Sequence, residues 1–204
     1  IMKLSRKEKN SYWMPYTDNE WFKKKPKLLD SANGMYYKTN SGKEILDAVA
    51  GLWCVNAGHC REKIVKAVQD QVQKMDYGLS FQMRHKASFE FAEKLTSILP
   101  KTIDSVFFTN SGSEAVDTAL KIALAYFHCQ GKGEKKKLIG RARGYHGSGF
   151  GGTSVGGIVA NRNQFSNLLN GVIHLPHTHI PEKNSFSWGQ PKYGKEKAEA
   201  LIDI

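Results

Sequence analysis

Residues 107–115, with the sequence FFTNSGSEA, decide how this chain folds. The segment around 105–109 is rich in aromatic and β-branched residues, which predicts a buried β-strand. After it, apolar residues recur at helical spacing and predict an α-helix: Ala115, Ala119, Ile122, Ala123 and Tyr126. The small polar turn at 110–113 therefore joins a strand to a helix, where free backbone N–H groups suit a phosphate. A capping box, in which Ser111 and Glu114 satisfy the same N–H groups, is the alternative interpretation of this turn.

A second loop, residues 140–147 with the sequence GRARGYHG, follows a second strand pattern at 137–141. It carries an aromatic ring, Tyr145, and an imidazole, His146, between glycines. Strand, helix and strand in this order predict a crossover unit, and hence a parallel, doubly wound sheet of the α/β class. Ligands of such sheets collect at the carboxyl ends of the strands, where both loops are expected to lie. A phosphate-binding turn beside an exposed aromatic ring indicates a site for a flat, phosphorylated heterocycle.

Four segments together resemble the class III aminotransferases, which are pyridoxal-phosphate-dependent enzymes of fold type I. Within that family the similarity is greatest to the omega-amino acid:pyruvate transaminases. The segments are 13–17 (WMPYT), 51–59 (GLWCVNAGH), 110–120 and 144–157. Because these segments are spread over nearly the whole chain, the resemblance applies to most of it.

The resemblance implies a role for each of seven residues. The turn that binds the phosphate group of pyridoxal 5′-phosphate is implied to consist of Ser111, Gly112 and Ser113. Tyr145 is similar to the aromatic residue that stacks on the pyridine ring, and His146 is its usual neighbour. Trp53 is similar to the indole that lines the substrate pocket, and Tyr16 resembles an aromatic residue at the same pocket mouth.

The implied activity is the transfer of an amino group from an omega-amino acid or amine to a keto acid such as pyruvate, by a homodimer. The resemblance assigns no catalytic residue to this sequence, because the family's Schiff-base lysine and pyridinium-binding aspartate belong beyond Ile204. We therefore expect an inactive amino-terminal fragment. Its implied parts are an arm with a small-domain segment at 1–79 and the first part of the large, cofactor-binding domain at 80–204. Cys60, Arg84 and Lys86 depart from the family pattern.

Composition favours a globular protein over other classes. The chain has 204 residues, 40% of them hydrophobic, and a formal net charge of +11. The lysines are clustered, yet no stacking aromatics or binding motif accompany them, so we interpret them as solvated surface and expect no nucleic-acid partner. The sequence contains no apolar run of membrane-spanning length and no signal-peptide pattern, which favours a cytoplasmic protein without a membrane partner. Three cysteines without C-x-x-C spacing predict reduced thiols rather than disulfides or zinc ligands.

Other chemistries have weaker support. His174, His177 and His179 lie close together, but Asp and Cys are absent from this stretch, so a metal site is disfavoured. The G-x-S-x-G elbow of hydrolases is missing around Ser113, and no nucleotide-binding P-loop is present. Two alternative functions stay open: a non-catalytic chain that keeps a phosphate-cofactor site, and a basic nucleic-acid-associated protein.

The rest of the chain predicts simple elements. Residues 1–35 are expected to form an arm, 35–46 a hairpin with a glycine turn, and 48–58 a loop. Two helices are expected at 64–75 and 87–98. A third strand is possible near Val172, between a small-residue segment at 149–157 and a loop at 180–197.

Overall fold

The computed structural model describes residues 4–79 and 81–204. Lys3 and Ser80, the residue at which the large domain is expected to begin, lie outside the described residues. By its internal contacts the backbone divides into two units, Ile1–Phe91 and Ala92–Ile204. The division at 79/80 into small-domain and large-domain parts stays a prediction.

The amino-terminal arm contains two short helices that the sequence analysis did not predict. These helices are α1, Arg6–Ser11, and α2, Asn19–Lys24. Ser5 caps α1 in a complete capping box with Glu8, and the Asp18 side chain accepts from Trp21 N at the start of α2. Both caps are readable in the sequence, but neither helix has an apolar stripe long enough to reveal it.

An antiparallel sheet follows in the first unit. Its strands are β1 (Leu29–Asn33), β2 (Tyr36–Thr39) and β3 (Glu44–Leu46), in the order β1-β2-β3. The predicted hairpin is confirmed: Tyr37 pairs with Ile45, and Gly42 has a φ of 84° in the turn. Strand β1 was not predicted, because its sequence LDSAN lacks apolar alternation.

Both predicted helices of this region are confirmed, as α4 (Glu62–Lys74) and α5 (Lys86–Ile98). Before them, within the expected loop, a short helical turn α3 spans Ala50–Trp53. Among the described residues, no helix is both long and apolar enough to cross a membrane.

The second unit is built around helix α6, Gly112–Cys129, which confirms the helix predicted after the polar turn. Strand β4 (Leu138–Arg141) is followed by α7 (Phe150–Val155), a 3₁₀ turn at Val159–Asn161 and strand β5 (Val172–Leu175). Two short helices end the chain, α8 (Pro181–Asn184) and α9 (Lys195–Glu199). Strands β4 and β5 are parallel, with Gly140 opposite His174, so the strand near Val172 is confirmed.

The strand predicted around 105–109 is wrong for the described chain, where no strand is assigned to those residues. A strand needs a neighbour that completes its backbone hydrogen bonds, and apolar composition alone does not supply one. The parallel pair is formed by β4 and β5, and not by β4 and the segment before α6.

The buried centre of the second unit is glycine-rich. Its buried apolar side chains are Val155 and Leu175, next to the buried hydroxyl of Ser154. A Cβ added at Gly140 would overlap the carbonyl oxygen of Val155, so α7 approaches β4 as closely as backbone allows. Within the small-residue segment at 149–157, most residues of α7 are therefore buried.

Candidate functional site

The first turn of α6 is capped by its own sequence. Ser111 is the N-cap, and its Oγ accepts from Glu114 N at 3.1 Å. The Glu114 carboxylate accepts from the backbone N and the side-chain amide of Asn110, at 2.9 and 3.1 Å. The capping expected as the alternative is therefore present, except that Glu114 reaches Asn110 instead of the N-cap residue.

Capping leaves two N–H groups of this turn available. Glu114 N is used by Ser111 Oγ, and Ala115 N donates to the Ser111 carbonyl at 3.0 Å. No acceptor for the N–H groups of Gly112 and Ser113 is found among residues 4–79 and 81–204, as expected for the first positions of a helix. A Cβ added at Gly112 would meet no atom within 4 Å, so the space in front of this backbone is open. Capping and anion binding are compatible here.

The structure brings the α6 turn together with the Tyr145–His146 loop. Ser148 N donates to Ser113 Oγ at 2.9 Å, and the two hydroxyl oxygens lie 3.3 Å apart. Gly147 has a φ of 104°, and a Cβ added there would lie 2.7 Å from Ser113 Cα. Only glycine permits this approach, so the two segments singled out from the sequence form one site in the second unit.

The Tyr145–His146 loop is held by its backbone. Gly144 N donates to the Arg141 carbonyl at 2.9 Å, Gly157 N donates to the Gly144 carbonyl at 2.8 Å, and Arg143 N donates to the Gly157 carbonyl at 3.0 Å. Both side chains are exposed, Tyr145 to 53%. The ring of Tyr145 is thus presented to solvent from a loop of defined shape, as a stacking residue requires.

Asp117 also lies at this site, although it is not among the residues predicted from the sequence. Its Oδ1 accepts from Gly152 N at 2.7 Å and its Oδ2 from Gly151 N at 3.3 Å. These N–H groups belong to the first turn of α7, whose N-cap residue Gly149 supplies no side-chain cap. The available signal was its position four residues after Ser113, on the same face of α6.

Trp53 and Tyr16 lie in the first unit. Trp53 is 72% exposed and ends α3, in which Ala50, Gly51, Leu52 and Trp53 all have φ between 51° and 67°. This left-handed turn costs about 1–2 kcal/mol for each residue other than glycine, so other contacts must hold it. Tyr16 is 87% exposed, with a φ of 49°, in a turn where the Asn19 side chain bonds the backbone of Met14.

The left-handed turn is held by Asp47, a second residue whose role the sequence did not reveal. Its carboxylate accepts from Gly51 N at 2.7 Å, from Val49 N at 3.2 Å and from His59 Nε2 at 2.7 Å. The ring of His59 packs against Tyr37, with centroids 4.5 Å apart. Burial raises the pKa of Asp47, but hydrogen bonds from His59, Val49, Gly51 and Tyr37 outweigh it, so the net pKa lies below the ordinary value.

His174 lies in β5, and His177 and His179 follow that strand. His174 Nε2 lies 3.1 Å from the Ser154 carbonyl oxygen. Across the described ranges, 4–79 and 81–204, no three His, Cys, Asp or Glu side chains are grouped so that they could hold a metal ion. Cys54, Cys60 and Cys129 are free and exposed.

Comparison with known proteins gives a consistent result. The family model "Aminotransferase class-III" matches residues 19–203. The chain is 57% identical to an omega-aminotransferase of Caulobacter vibrioides over 195 residues, which are 96% of this chain and 44% of that protein. It is 44% identical to the omega-amino acid–pyruvate aminotransferase of Pseudomonas putida, covering 91% of this chain and 41% of that protein.

Solved structures agree on the fold. The omega transaminase of Pseudomonas jessenii in complex with PMP superposes with a TM-score of 0.86 at 31% identity, covering 99% of this chain and 44% of that one. The α/β, fold-type-I expectation is thereby confirmed for the part of the fold present here. The chain spans less than half the length of these relatives. With the family model matching most of its length, the chain belongs to the class-III aminotransferases.

Proposed function

We propose that this chain supplies the phosphate-binding and ring-binding part of a transaminase that uses pyridoxal 5′-phosphate. The proposed reaction moves an amino group from an omega-amino acid or amine to a keto acid such as pyruvate. Membership of the class-III family gives the cofactor. The curated relatives named for omega-amino acid–pyruvate and beta-alanine–pyruvate transfer support the substrate class.

One observation carries this proposal. The open N-terminal turn of α6 is joined directly to the loop of Tyr145 through Ser113 Oγ and Ser148 N, 2.9 Å apart. The turn offers donors suited to a phosphate, and the loop offers an exposed ring suited to a flat heterocycle. A ligand that carries both groups fits such a site better than a free anion does.

The residues present fit the cofactor. We assign the phosphate to the N–H groups of Gly112 and Ser113 and to the hydroxyls of Ser111 and Ser113. The space in front of Gly112 is open, and a side chain at this position would occupy the room that the phosphate needs. Ser113 Oγ accepts from Ser148 N and keeps its own proton to donate. We assign the pyridine ring to Tyr145, with His146 beside it. When bound, pyridoxal phosphate supplies the electron sink that amino-group transfer requires.

We assign the substrate side to Trp53 and Tyr16. Both are large aromatic side chains, exposed to 72% and 87%, and each lies on a left-handed backbone segment. Such backbone strain is concentrated at functional sites, which supports a role in binding. The proposed active species is a homodimer, and the many exposed apolar side chains of the first unit support a buried interface there. The cytoplasmic location stays a prediction.

The phosphate assignment is tested by Gly112→Val in the intact protein. The added side chain fills the open space in front of the helix terminus, so we expect the cofactor dissociation constant to rise by at least about tenfold. The control is Lys135→Ala, which removes an exposed cation near the Phe127 ring, 5.0 Å from its centroid. We expect less than about a twofold change there, since screening weakens exposed charges. Equal effects of the two variants in a cofactor titration would overturn the assignment.

A second candidate function is a non-catalytic chain that retains the cofactor site. It is favoured by the lysines, none of which lies in a context that matches the family's Schiff-base lysine. On this reasoning the 204-residue chain by itself does not transaminate. Reduction with borohydride in the presence of pyridoxal phosphate, followed by peptide mapping, tests it. One dominant, stoichiometrically labelled lysine together with turnover would refute this alternative.

A further inference from the structure

Asp117 occupies a position that the proposed function leaves unexplained. It lies on α6 four residues after Ser113, so both side chains point from one face of the helix. Each accepts backbone N–H groups from the same short segment: Ser113 from Ser148, and Asp117 from Gly151 and Gly152. Helix α6 therefore contacts this segment at two points, through Ser113 in its first turn and Asp117 in its second.

The Asp117 carboxylate lies very close to two glycines of this segment, Gly149 and Gly151. A Cβ added at Gly149 would lie 2.5 Å from Asp117 Oδ2, and one added at Gly151 would lie 2.8 Å from Oδ1. The carboxylate thus reaches the backbone directly, with no side chain between. Hydrogen bonds from N–H groups to an ionised carboxylate are stronger than neutral ones, which suits a contact that fixes position.

The same segment is pressed against the Tyr145–His146 loop from its other side. A Cβ added at Gly152 would overlap the carbonyl oxygen of His146. Gly152 is therefore in contact with Asp117 through its N–H and with His146 through its Cα. Because close-packed backbone transmits small displacements, a shift of α7 moves the loop that carries Tyr145.

We propose that Asp117 is a positioning residue of the cofactor site, which fixes the Tyr145 ring relative to the phosphate-binding turn by holding the start of α7. The proposal rests on the proposed function, because it concerns the same site. Asp117 acts through the loop and touches neither the phosphate nor the ring. Its loss is expected to weaken ring binding and to leave phosphate binding largely intact.

The test compares two probes on the cofactor-free intact protein. Pyridoxamine 5′-phosphate engages both halves of the site without a covalent bond, and inorganic phosphate engages only the α6 turn. We expect Asp117→Ala to raise the dissociation constant of pyridoxamine 5′-phosphate by about tenfold and that of phosphate by less than about twofold. Asp117→Asn keeps one acceptor oxygen, so its dissociation constant for pyridoxamine 5′-phosphate should lie between those of wild type and Asp117→Ala.

A second readout is independent of ligand. Amide hydrogen exchange across 144–152 should be at least about tenfold faster in Asp117→Ala, because the N–H groups of Gly151 and Gly152 lose their acceptor. The matched control is Asp70→Ala, which removes a helical aspartate paired with Lys66 on α4 and should leave exchange at 144–152 unchanged. The double variant Asp117→Ala/Tyr145→Ala should bind pyridoxamine 5′-phosphate no more weakly than Tyr145→Ala alone. The reason is that Asp117 affects binding only through the position of the Tyr145 ring.

The outcomes distinguish an error in the proposed cofactor site from an error in the proposed role of Asp117. If wild type binds neither probe, the proposed cofactor site itself is wrong. If wild type binds both, two results overturn the role of Asp117: equal weakening of both probes in Asp117→Ala, which indicates general destabilisation, or unchanged affinity for pyridoxamine 5′-phosphate despite faster exchange.

Discussion

Gly147→Ala is the substitution that most directly tests how the two halves of the site are joined. Gly147 has a φ of 104°, and an added Cβ would lie 2.7 Å from Ser113 Cα and 2.8 Å from Ser113 Oγ. Ordinary van der Waals contact begins near 3.4 Å, and the obstacle includes backbone that cannot rotate away. The loop and the α6 turn would therefore have to separate by a few tenths of an ångström or more.

Two costs contribute to the expected magnitude. Alanine in this backbone conformation costs about 1–3 kcal/mol. Overpacking against fixed neighbours costs about 1–3 kcal/mol more. The free energy of unfolding should thus fall by about 2–6 kcal/mol. For a domain of this size each kcal/mol lowers Tm by roughly 2–4 °C.

Gly131→Ala is the matched control. Gly131 also has a positive φ, 71°, but a Cβ added there would meet no atom within 4 Å. It therefore carries the backbone cost alone, and the difference between the two variants isolates the contact with Ser113. Urea denaturation of the intact protein, without added cofactor, measures both. If Gly147→Ala is no less stable than Gly131→Ala, the close approach of the loop to α6 does not exist and the site described above is wrong.

Two further predictions concern the first unit. The lowered pKa of Asp47 means that its contribution to stability is present above the ordinary aspartate pKa, near 4, and is lost as pH falls through the lower pKa of the folded state. The Tm of wild type should therefore exceed that of Asp47→Asn by a constant amount from about pH 7 to about pH 5, and this difference should shrink below about pH 4. A difference that grows on acidification would contradict the hydrogen-bond network of Asp47. Separately, helix α4 exposes an apolar stripe that includes Val68, 57% exposed, so the isolated 204-residue chain should self-associate and elute in size exclusion ahead of a 22.9 kDa monomer. Val68→Lys should reduce this association and Lys66→Ala should not, whereas a monomeric wild-type chain would refute the prediction.

Several features could be predicted from the sequence because they depend on residues a few positions apart. The stripe of α4, the N-cap Ser111 and the turn at Gly42 each involve contacts within one helical turn or one hairpin. The site turn and the loop of Tyr145 were found in the same way. Their proposed roles rest on the family resemblance, because a capping box and a phosphate site have the same local pattern.

The tertiary structure decided what depends on distant partners. The apolar residues around 105–109 have strand composition, but a strand exists only where a neighbour pairs with it. Helix α7 contains two glycines and a threonine and has poor intrinsic helix propensity, yet it forms because β4 and the carboxylate of Asp117 hold it. Asp117 and Gly152 are 35 residues apart, and Asp47 and His59 are 12 apart. Local sequence patterns extend over only a few residues, so contacts at these separations become visible only when the chain is folded.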